Sequence, residues 1–297
     1  MSPKRKRQPD YDPVLKDGIL YWSSQPASED GVLGGYGTGS LPRVETLGSR
    51  QFLMRLLPDL CTVPSALRPL DAPTPTRRTR ALDVGAGIGR VTADTLLHLV
   101  DDVVLVEPVD SLIQEALSRG RASSDAATAA SPEASGAQAP RPWKGIADKS
   151  KSVSFFQAPL QTLDPAHPQT SAKPLGRVGY VPESTDAESG FDVIWCQWCL
   201  MYMGDEDLVA FLKRAKKALR VRDGAYQKPA VIVVKENVAS DLESGAPAVV
   251  WDEQDSSVTR SDLAWKDIFK RAGLSLVDDK VQEGLPEGLY VVKMYAL

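Results

Sequence analysis

The densest chemistry in this chain lies in ten residues, ALDVGAGIGR (81–90). Asp83 ends an aliphatic run, Gly85, Gly87 and Gly89 follow at every second position, and Arg90 opens a helical pattern. Glycines at such a strand-to-helix turn permit positive φ and let a ligand approach the backbone, while the start of the helix offers unpaired N–H groups. The G-x-G-x-G spacing departs from the G-x-G-x-x-G fingerprint that cradles a dinucleotide pyrophosphate. A second acidic residue, Glu107, ends the next strand-like run about 20 residues on, a position from which a carboxylate accepts hydrogen bonds from ribose hydroxyls. A merely tight turn, or a nicotinamide or flavin site, is the weaker reading of the same residues.

Positioning such a loop requires strands that end in register, and the chain supplies strands and helices in alternation. RALDVG, DVVLVE, VSFFQA, FDVIWCQ and AVIVVKE are short aliphatic, β-branched or aromatic runs. Between them fall a helix from about Arg90 to Val100, another over SLIQEALSRG, and DLVAFLKRAKKALR. In the last, Leu208, Phe211, Leu212, Ala215 and Leu219 share one face, with Lys213, Arg214, Lys216 and Lys217 on the other. This alternation implies an α/β fold with a parallel sheet and helices on both sides. The C-terminal stretch adds two strands that close the sheet antiparallel. Upstream, SRQFLMRLLPDL reads as a helix with Ser49 as its N-cap and Pro58 at its stop.

The expected organisation is a disordered basic tail over 1–18 and a single domain over 19–297. That domain has an N-terminal lid (19–60) and Ala/Ser/Pro/Gly-rich surface insertions at about 120–148 and 168–190, neither adding much to a core.

With 297 residues, 42% of them hydrophobic, and a net charge of −4, the chain reads as globular and has no overall electrostatic drive toward nucleic acid. No apolar run reaches the roughly 20 residues of a membrane span. Cys61, Cys196 and Cys199 form no disulfide framework, which fits a reducing compartment. Cys196-x-x-Cys199 has no second pair, and neither His98 nor His167 stands at ligand spacing, so no metal is expected. Residence is expected to be cytoplasmic, with Lys4–Arg7 a candidate nuclear address.

The Asp-x-Gly-x-Gly-x-Gly turn followed by an acidic strand end resembles the S-adenosylmethionine-binding motif of Rossmann-like methyltransferases. Asp83 suits the cationic amino group of that cofactor's methionine part, and Arg90 suits its carboxylate. Beyond the loop, YW (21–22) with DGVLGGYG (30–37), LDVGAGIGR, IWCQW (194–198), KENVA (235–239) and DSSVTR (255–260) together resemble the protein α-N-terminal methyltransferases. The resemblance runs from about Gly18 to Leu297, interrupted by the insertions.

It implies a class I methyltransferase fold with a seven-stranded, mostly parallel sheet and a helical lid, using S-adenosylmethionine to methylate the α-amine of proteins that begin X-Pro-Lys or X-Pro-Arg after Met removal. It also implies ribosomal and chromatin-associated substrates and a monomeric enzyme. Carried over by position, Gly85, Gly87, Arg90, Glu107, Leu160, Gln161 and Gln197 would join Asp83 at the cofactor. Trp22 and Trp198 would line the substrate channel, with Gly34 and Tyr36 in the lid above it. Asn237 would bond the peptide backbone near the amine, and Asp252, Asp255 and Ser257 would form the acidic end that takes the third-position cation, with Asp255 also accepting the amine proton.

One position departs from the family. Tyr202 stands where the family has a histidine thought to help remove the amine proton, and a neutral phenol is a poor base. Two other readings stay open: a methyltransferase for another protein site or a small molecule, and a weakly catalytic module that captures N-terminal tails, which the Tyr202 departure motivates. Trp22 and Trp198 could be core aromatics, and Asp252, Asp255, Ser256 or Ser257 could cap the helix that follows. The chain's own start, after Met removal, reads Ser2-Pro3-Lys4-Arg5, so self-methylation is expected.

Overall fold

The computed structural model describes residues 12–61, 77–125, 141–186, 188–222 and 228–297. The Lys4–Arg7 cluster, the Ser-Pro-Lys-Arg start and residues 126–140 of the first expected insertion lie outside the described residues.

The aliphatic runs form the strands expected of them: β1 (Arg80–Val84), β2 (Asp102–Val106), β3 (Ser152–Gln157), β5 (Val193–Gln197) and β6 (Val231–Val238). They pair in parallel in the order β3-β2-β1-β5-β6. The chain end supplies β9 (Asp278–Val281) and β10 (Val291–Ala296), which extend that order antiparallel beyond β6 as β10-β9.

Strand side chains alternate between two cores. Leu82, Val84, Val104 and Val106 face helices α7 (Asp205–Lys217) and α8 (Asp262–Arg271), packing with Phe211, Leu212, Trp265 and Phe269. Ala81, Val103, Leu105 and Trp195 point the other way, toward α3 (Leu41–Leu56) and α5 (Asp110–Asp125). The sheet direction of successive connections reverses between β1 and β5, and the crevice outside the carboxyl ends of the strands there is where such sheets bind ligands.

Among the described residues the sheet has eight strands, one more than the seven expected. The additional one, β4 (Lys173–Gly179), follows the one-turn helix α6 (Pro168–Ser171), pairs antiparallel with β3 at the edge and comes from the stretch read as a surface insertion. Pro174, Gly176 and Gly179 disguise it, yet an edge strand tolerates a proline that lacks a donor. Nor is the first insertion inert: α5 runs on to Asp125, and Trp143 and Ile146 are buried, with Trp143 stacked on Phe155 at 6.0 Å between centroids. The Trp143 backbone N–H donates to Ser123 Oγ at 2.9 Å.

Three boundaries also differ. Helix α3 starts at Leu41 with Pro42 in its first turn, so Ser49 is an interior residue that donates to Glu45, not a cap. The helix after the glycine loop, α4 (Arg90–Asp94), breaks at Thr95 into a 3-10 turn, Leu96–His98. Helix α1 (Leu15–Ser24) begins inside the range assigned to the tail, and α2 (Glu29–Val32) follows it. A short hairpin, β7 (Val249–Asp252) with β8 (Ser257–Arg260), precedes α8. Ser261 is the residue that caps α8, so Ser256 and Ser257 are free for other work.

Candidate active site

The turn leaving β1 holds Gly85, Gly87 and Gly89 at φ of 60°, 56° and 78°. At Gly85 the glycine is required twice over, because a Cβ there would also overlap that of Cys199. Glu107, at the end of β2, fixes the turn from below: its Oε2 accepts from the Gly87 N–H and its Oε1 from the Val109 N–H, each at 2.8 Å. Asp83 accepts from Thr92 Oγ at 2.6 Å. Burial pushes both carboxyls up to about 7. A site with two reluctant anions favours a ligand that brings a cation or hydroxyl donors.

Arg90 is buried at the start of α4 and its Nη1 donates to Glu45 Oε2. Glu45 Oε1 accepts from Lys235 Nζ and from Ser49 Oγ, both at 2.8 Å. Lys235 Nζ also donates to Ser49 Oγ (2.9 Å) and to Gln282 Oε1 (3.0 Å). Against a large burial penalty, the Arg90 and Lys235 charges hold Glu45 at about 2, while burial lowers Lys235 to about 8. One carboxylate therefore joins α3, α4 and β6.

The other end of the same cleft is aromatic. β5 ends at Gln197, whose Oε1 accepts from the Trp195 indole N–H at 3.0 Å while its amide Nε2 is buried without a partner. Trp198 then takes a left-handed conformation, φ 52°, its N–H donating to the Lys235 carbonyl at 3.1 Å. Glu236, beside Lys235, accepts from the Cys199 and Leu200 N–H groups with one oxygen, at 2.9 and 2.8 Å. Burial raises it to about 8. A 3-10 turn, Leu200–Tyr202, brings the Tyr202 phenol 2.9 Å from Asp255 Oδ2, and Trp22 of α1 meets the Tyr202 ring edge to face, 6.2 Å between centroids.

Of the residues predicted from sequence, Trp22, Asp83, Gly85, Gly87, Arg90, Glu107, Leu160, Gln161, Gln197, Trp198 and Tyr202 line this one cleft, of about 1000 Å³ counting its solvent-open mouth. Asp255 joins it through Tyr202. The rest stand off the lining: Asn237 is half-buried on β6, Ser257 is buried at the start of β8, and Asp252 is exposed, accepting from the Gln254 N–H at 2.9 Å. Gly34, at φ 59°, and Tyr36 lie exposed in the turn after α2.

Glu45, Lys235, Glu236 and Ser256 were not expected. A carboxylate at i−4 from Ser49 on the face shared with Phe52 and Leu53 was the available signal for Glu45. Among the described residues no group of three or more His, Cys, Asp or Glu is arranged to hold a metal.

A family model described as AdoMet dependent proline di-methyltransferase matches residues 10–297. Alpha N-terminal protein methyltransferase 1 of Schizosaccharomyces pombe is 34% identical over 288 residues, 97% of each chain. Its Arabidopsis thaliana namesake is 35% identical over 283 residues, covering 95% of this chain and 78% of the relative. N-terminal Xaa-Pro-Lys N-methyltransferase 1 of Rattus norvegicus is 29% identical, covering 93% and 92%. Among solved structures, a SAM-dependent methyltransferase from Leishmania major aligns with a TM-score of 0.61 at 28% identity, covering 95% of this chain and 81% of that one. A Burkholderia thailandensis 1,6-didemethyltoxoflavin-N1-methyltransferase with bound 1,6-didemethyltoxoflavin and S-adenosylhomocysteine, TM-score 0.52 and 17% identity, covers 98% and 92% and shares the fold.

Proposed function

We proceed from the fact that this chain belongs to the AdoMet-dependent proline di-methyltransferase family, and we propose that it methylates the α-amino group of proteins beginning X-Pro-Lys or X-Pro-Arg, with S-adenosylmethionine as donor. The observation that carries the reading is the single cleft running from Asp83, Gly85 and Glu107 to Trp22, Trp198 and Tyr202, with Asp255 at its far end.

The residues present fit the cofactor. Gly85 and Gly87 leave a wall without side chains, Glu107 keeps lone pairs for ribose hydroxyls beyond its two backbone bonds, and the unpartnered Gln197 amide is a donor awaiting an acceptor. Asp83 would take the amino-acid ammonium and Arg90 the carboxylate, with Leu160 and Gln161 at the adenine end. When bound, the cofactor supplies a sulfonium methyl.

The chain's own residues do the remainder, which is alignment and removal of one proton. An α-amine titrates near 8, so at neutral pH most of it arrives as ammonium and must give up a proton before transfer. Trp22 and Trp198 would flank the second-position proline, a residue whose fixed φ costs little entropy to hold. Asn237 would bond the peptide backbone, Asp255 would take the ammonium proton, and Asp252, Asp255 and Ser257 would face the third-position cation, under a lid that includes Gly34 and Tyr36.

Labelled cofactor with a synthetic SPKR peptide, beside the same peptide with its proline replaced, tests this: transfer to the first alone is expected, and transfer to both removes the X-Pro-Lys claim. Binding of SPKR without transfer would favour a capture module, the reading that Tyr202 in place of histidine motivates. The same proposal extends to a monomer acting in cytoplasm and nucleus on ribosomal and chromatin-associated proteins, the local cationic run Lys4–Arg7 supporting the nuclear part. For a chain translated from Met1 it extends to its own Ser2, which intact-mass measurement after incubation with cofactor alone would find methylated.

A further inference from the structure

We infer that Tyr202 is a positioning residue for the proton acceptor: its hydroxyl locks Asp255 through one oxygen and so presents the other, Oδ1, to the substrate amine. The inference rests on the reading of Asp255 given above and adds a role for a residue that replaces the family's candidate base.

Three observations support it. The Tyr202 hydroxyl donates to Asp255 Oδ2 at 2.9 Å, whereas Asp255 Oδ1 is buried and has no partner. Among the described residues, then, one lone-pair face of this carboxylate is spoken for and the other is not. The phenol cannot exchange roles with it, because burial, and then the Asp255 charge, raise Tyr202 well above its ordinary value. Tyr202 thus remains a donor throughout the usable pH range.

Finally, both partners are held by contacts besides the bond between them. Arg260, buried on β8, donates to the Met203 carbonyl at 2.7 Å and to Asp205 Oδ1 at 2.8 Å, clamping the hairpin that carries Asp255 to the turn that carries Tyr202. Asp255 is followed by Ser256 in a left-handed conformation, φ 57°, whose Oγ accepts from the Val14 N–H at 3.1 Å. On the other side the Tyr202 ring lies against Gly18, where a Cβ would come within 3.3 Å of Cδ1, and against Trp22. A Phe would keep all of these ring contacts and lose only the hydroxyl.

In the step so served, one N–H proton of the substrate ammonium passes to the Asp255 carboxylate, and the freed nitrogen lone pair forms the new N–CH₃ bond. The electron pair of the broken S–CH₃ bond stays on sulfur. The groups facing the pair are Glu236 from β6, which acts on Tyr202, and Asp252 from the hairpin and Tyr21 from α1, which share the field of Asp255.

The test is a double-mutant cycle on the full chain with the SPKR peptide: Tyr202→Phe, Asp255→Asn, the pair together, and Tyr202→His, each measured for kcat, peptide KM and S-adenosylhomocysteine affinity from pH 6 to 9.5. At pH 7 we expect Asp255→Asn to lower kcat about 100-fold and Tyr202→Phe about 10-fold, with the double variant no worse than Asp255→Asn within about threefold. The Tyr202→Phe deficit should shrink above pH 8, where the amine arrives deprotonated, and product affinity should not move. Tyr202→His, which restores a titratable donor, should recover activity above the histidine pKa of about 6.5. Multiplying deficits, or a pH-independent Tyr202→Phe deficit, overturns the inference while leaving Asp255 as acceptor. An unaffected Asp255→Asn overturns the proton-acceptor reading itself, and a wild-type chain that transfers nothing to SPKR overturns the proposed function.

Discussion

At the glycine-loop end of the cleft the two carboxyls, Asp83 and Glu107, come from one stretch of chain, and parallel strand pairing puts them at neighbouring strand ends. At the aromatic end Trp22, Trp198 and Asp255 come from three distant segments, and the hydrogen bonds that hold this end cross between segments: Trp198 to Lys235, Asp255 to Tyr202, Ser256 to Val14. The first end is fixed by backbone that the sheet would form anyway. The second exists only when α1, the β5 turn and the β7–β8 hairpin are all docked. It is accordingly the more fragile of the two, and substitutions that act on only one end should be commoner there.

Glu45 is the place where that distinction breaks down, and replacing it carries the largest expected effect. Glu45→Ala strands Arg90 at one end and Lys235, beside Glu236 and Asn237, at the other. Leaving buried charge without its partner costs about 3 to 5 kcal/mol, which a denaturant titration would read as a lowered midpoint. Loss confined to cofactor affinity at unchanged stability would show that the bridge matters to one end alone.

Gly85→Ala comes next. It forces φ 60° on a residue with a side chain and pushes against Cys199, which follows Trp198, so a change made at the loop should be felt at the aromatic end. A loss of at least tenfold in S-adenosylhomocysteine affinity, with a weaker rise in peptide KM, is expected in calorimetry and kinetics.

The two ends share one pH signature that sets them apart from the bridge between them. Asp83 and Glu107 are raised to about 7 from ordinary values of 3.8 and 4.5, and Glu236 is raised to about 8. The folded chain then holds protons that the unfolded chain has released, so these groups make stability fall as pH rises from about 4 through 8. Glu45, held at about 2, does the opposite: its contribution is present above about 4.5 and lost as pH falls toward 2. Thermal unfolding of the free chain should therefore peak on the acid side of neutrality, a few degrees above its value at pH 8. Saturating S-adenosylmethionine should narrow that gap, because its ammonium favours the ionised Asp83.

The smallest effect should follow Ser256→Ala, which removes the acceptor for the Val14 N–H. About 1 kcal/mol at the aromatic end would raise peptide KM a few-fold and leave cofactor affinity alone.

The same contrast explains what could be read from the sequence. Alternating aliphatic strands and the Asp-x-Gly-x-Gly-x-Gly turn are local patterns, so the parallel sheet and the loop end were legible within single windows of residues. β4 was not, because Pro174 and its glycines carry the composition of a linker and only pairing with β3 makes them a strand. Ser49 is an interior residue and not a cap, and in sequence its buried hydrogen bond to Glu45 is invisible: it looks like any polar residue before an apolar run. The Tyr202–Asp255 bond joins residues 53 apart through an intervening strand, helix and hairpin, and no spacing rule reaches that far.

The bond from the Trp143 N–H to Ser123 Oγ pinches together two stems, the end of α5 and the chain from residue 141, and the Trp143 ring packs where a side chain on Gly89 would stand. Ser123 and Trp143 are thereby tied across 20 positions of chain, and the cost of closing a longer connection between two points grows only with the logarithm of its length. That makes the neck at Ser123 and Trp143 a practical port, where a fluorescent protein or affinity handle can be spliced between the stems with the catalytic cleft left as it is.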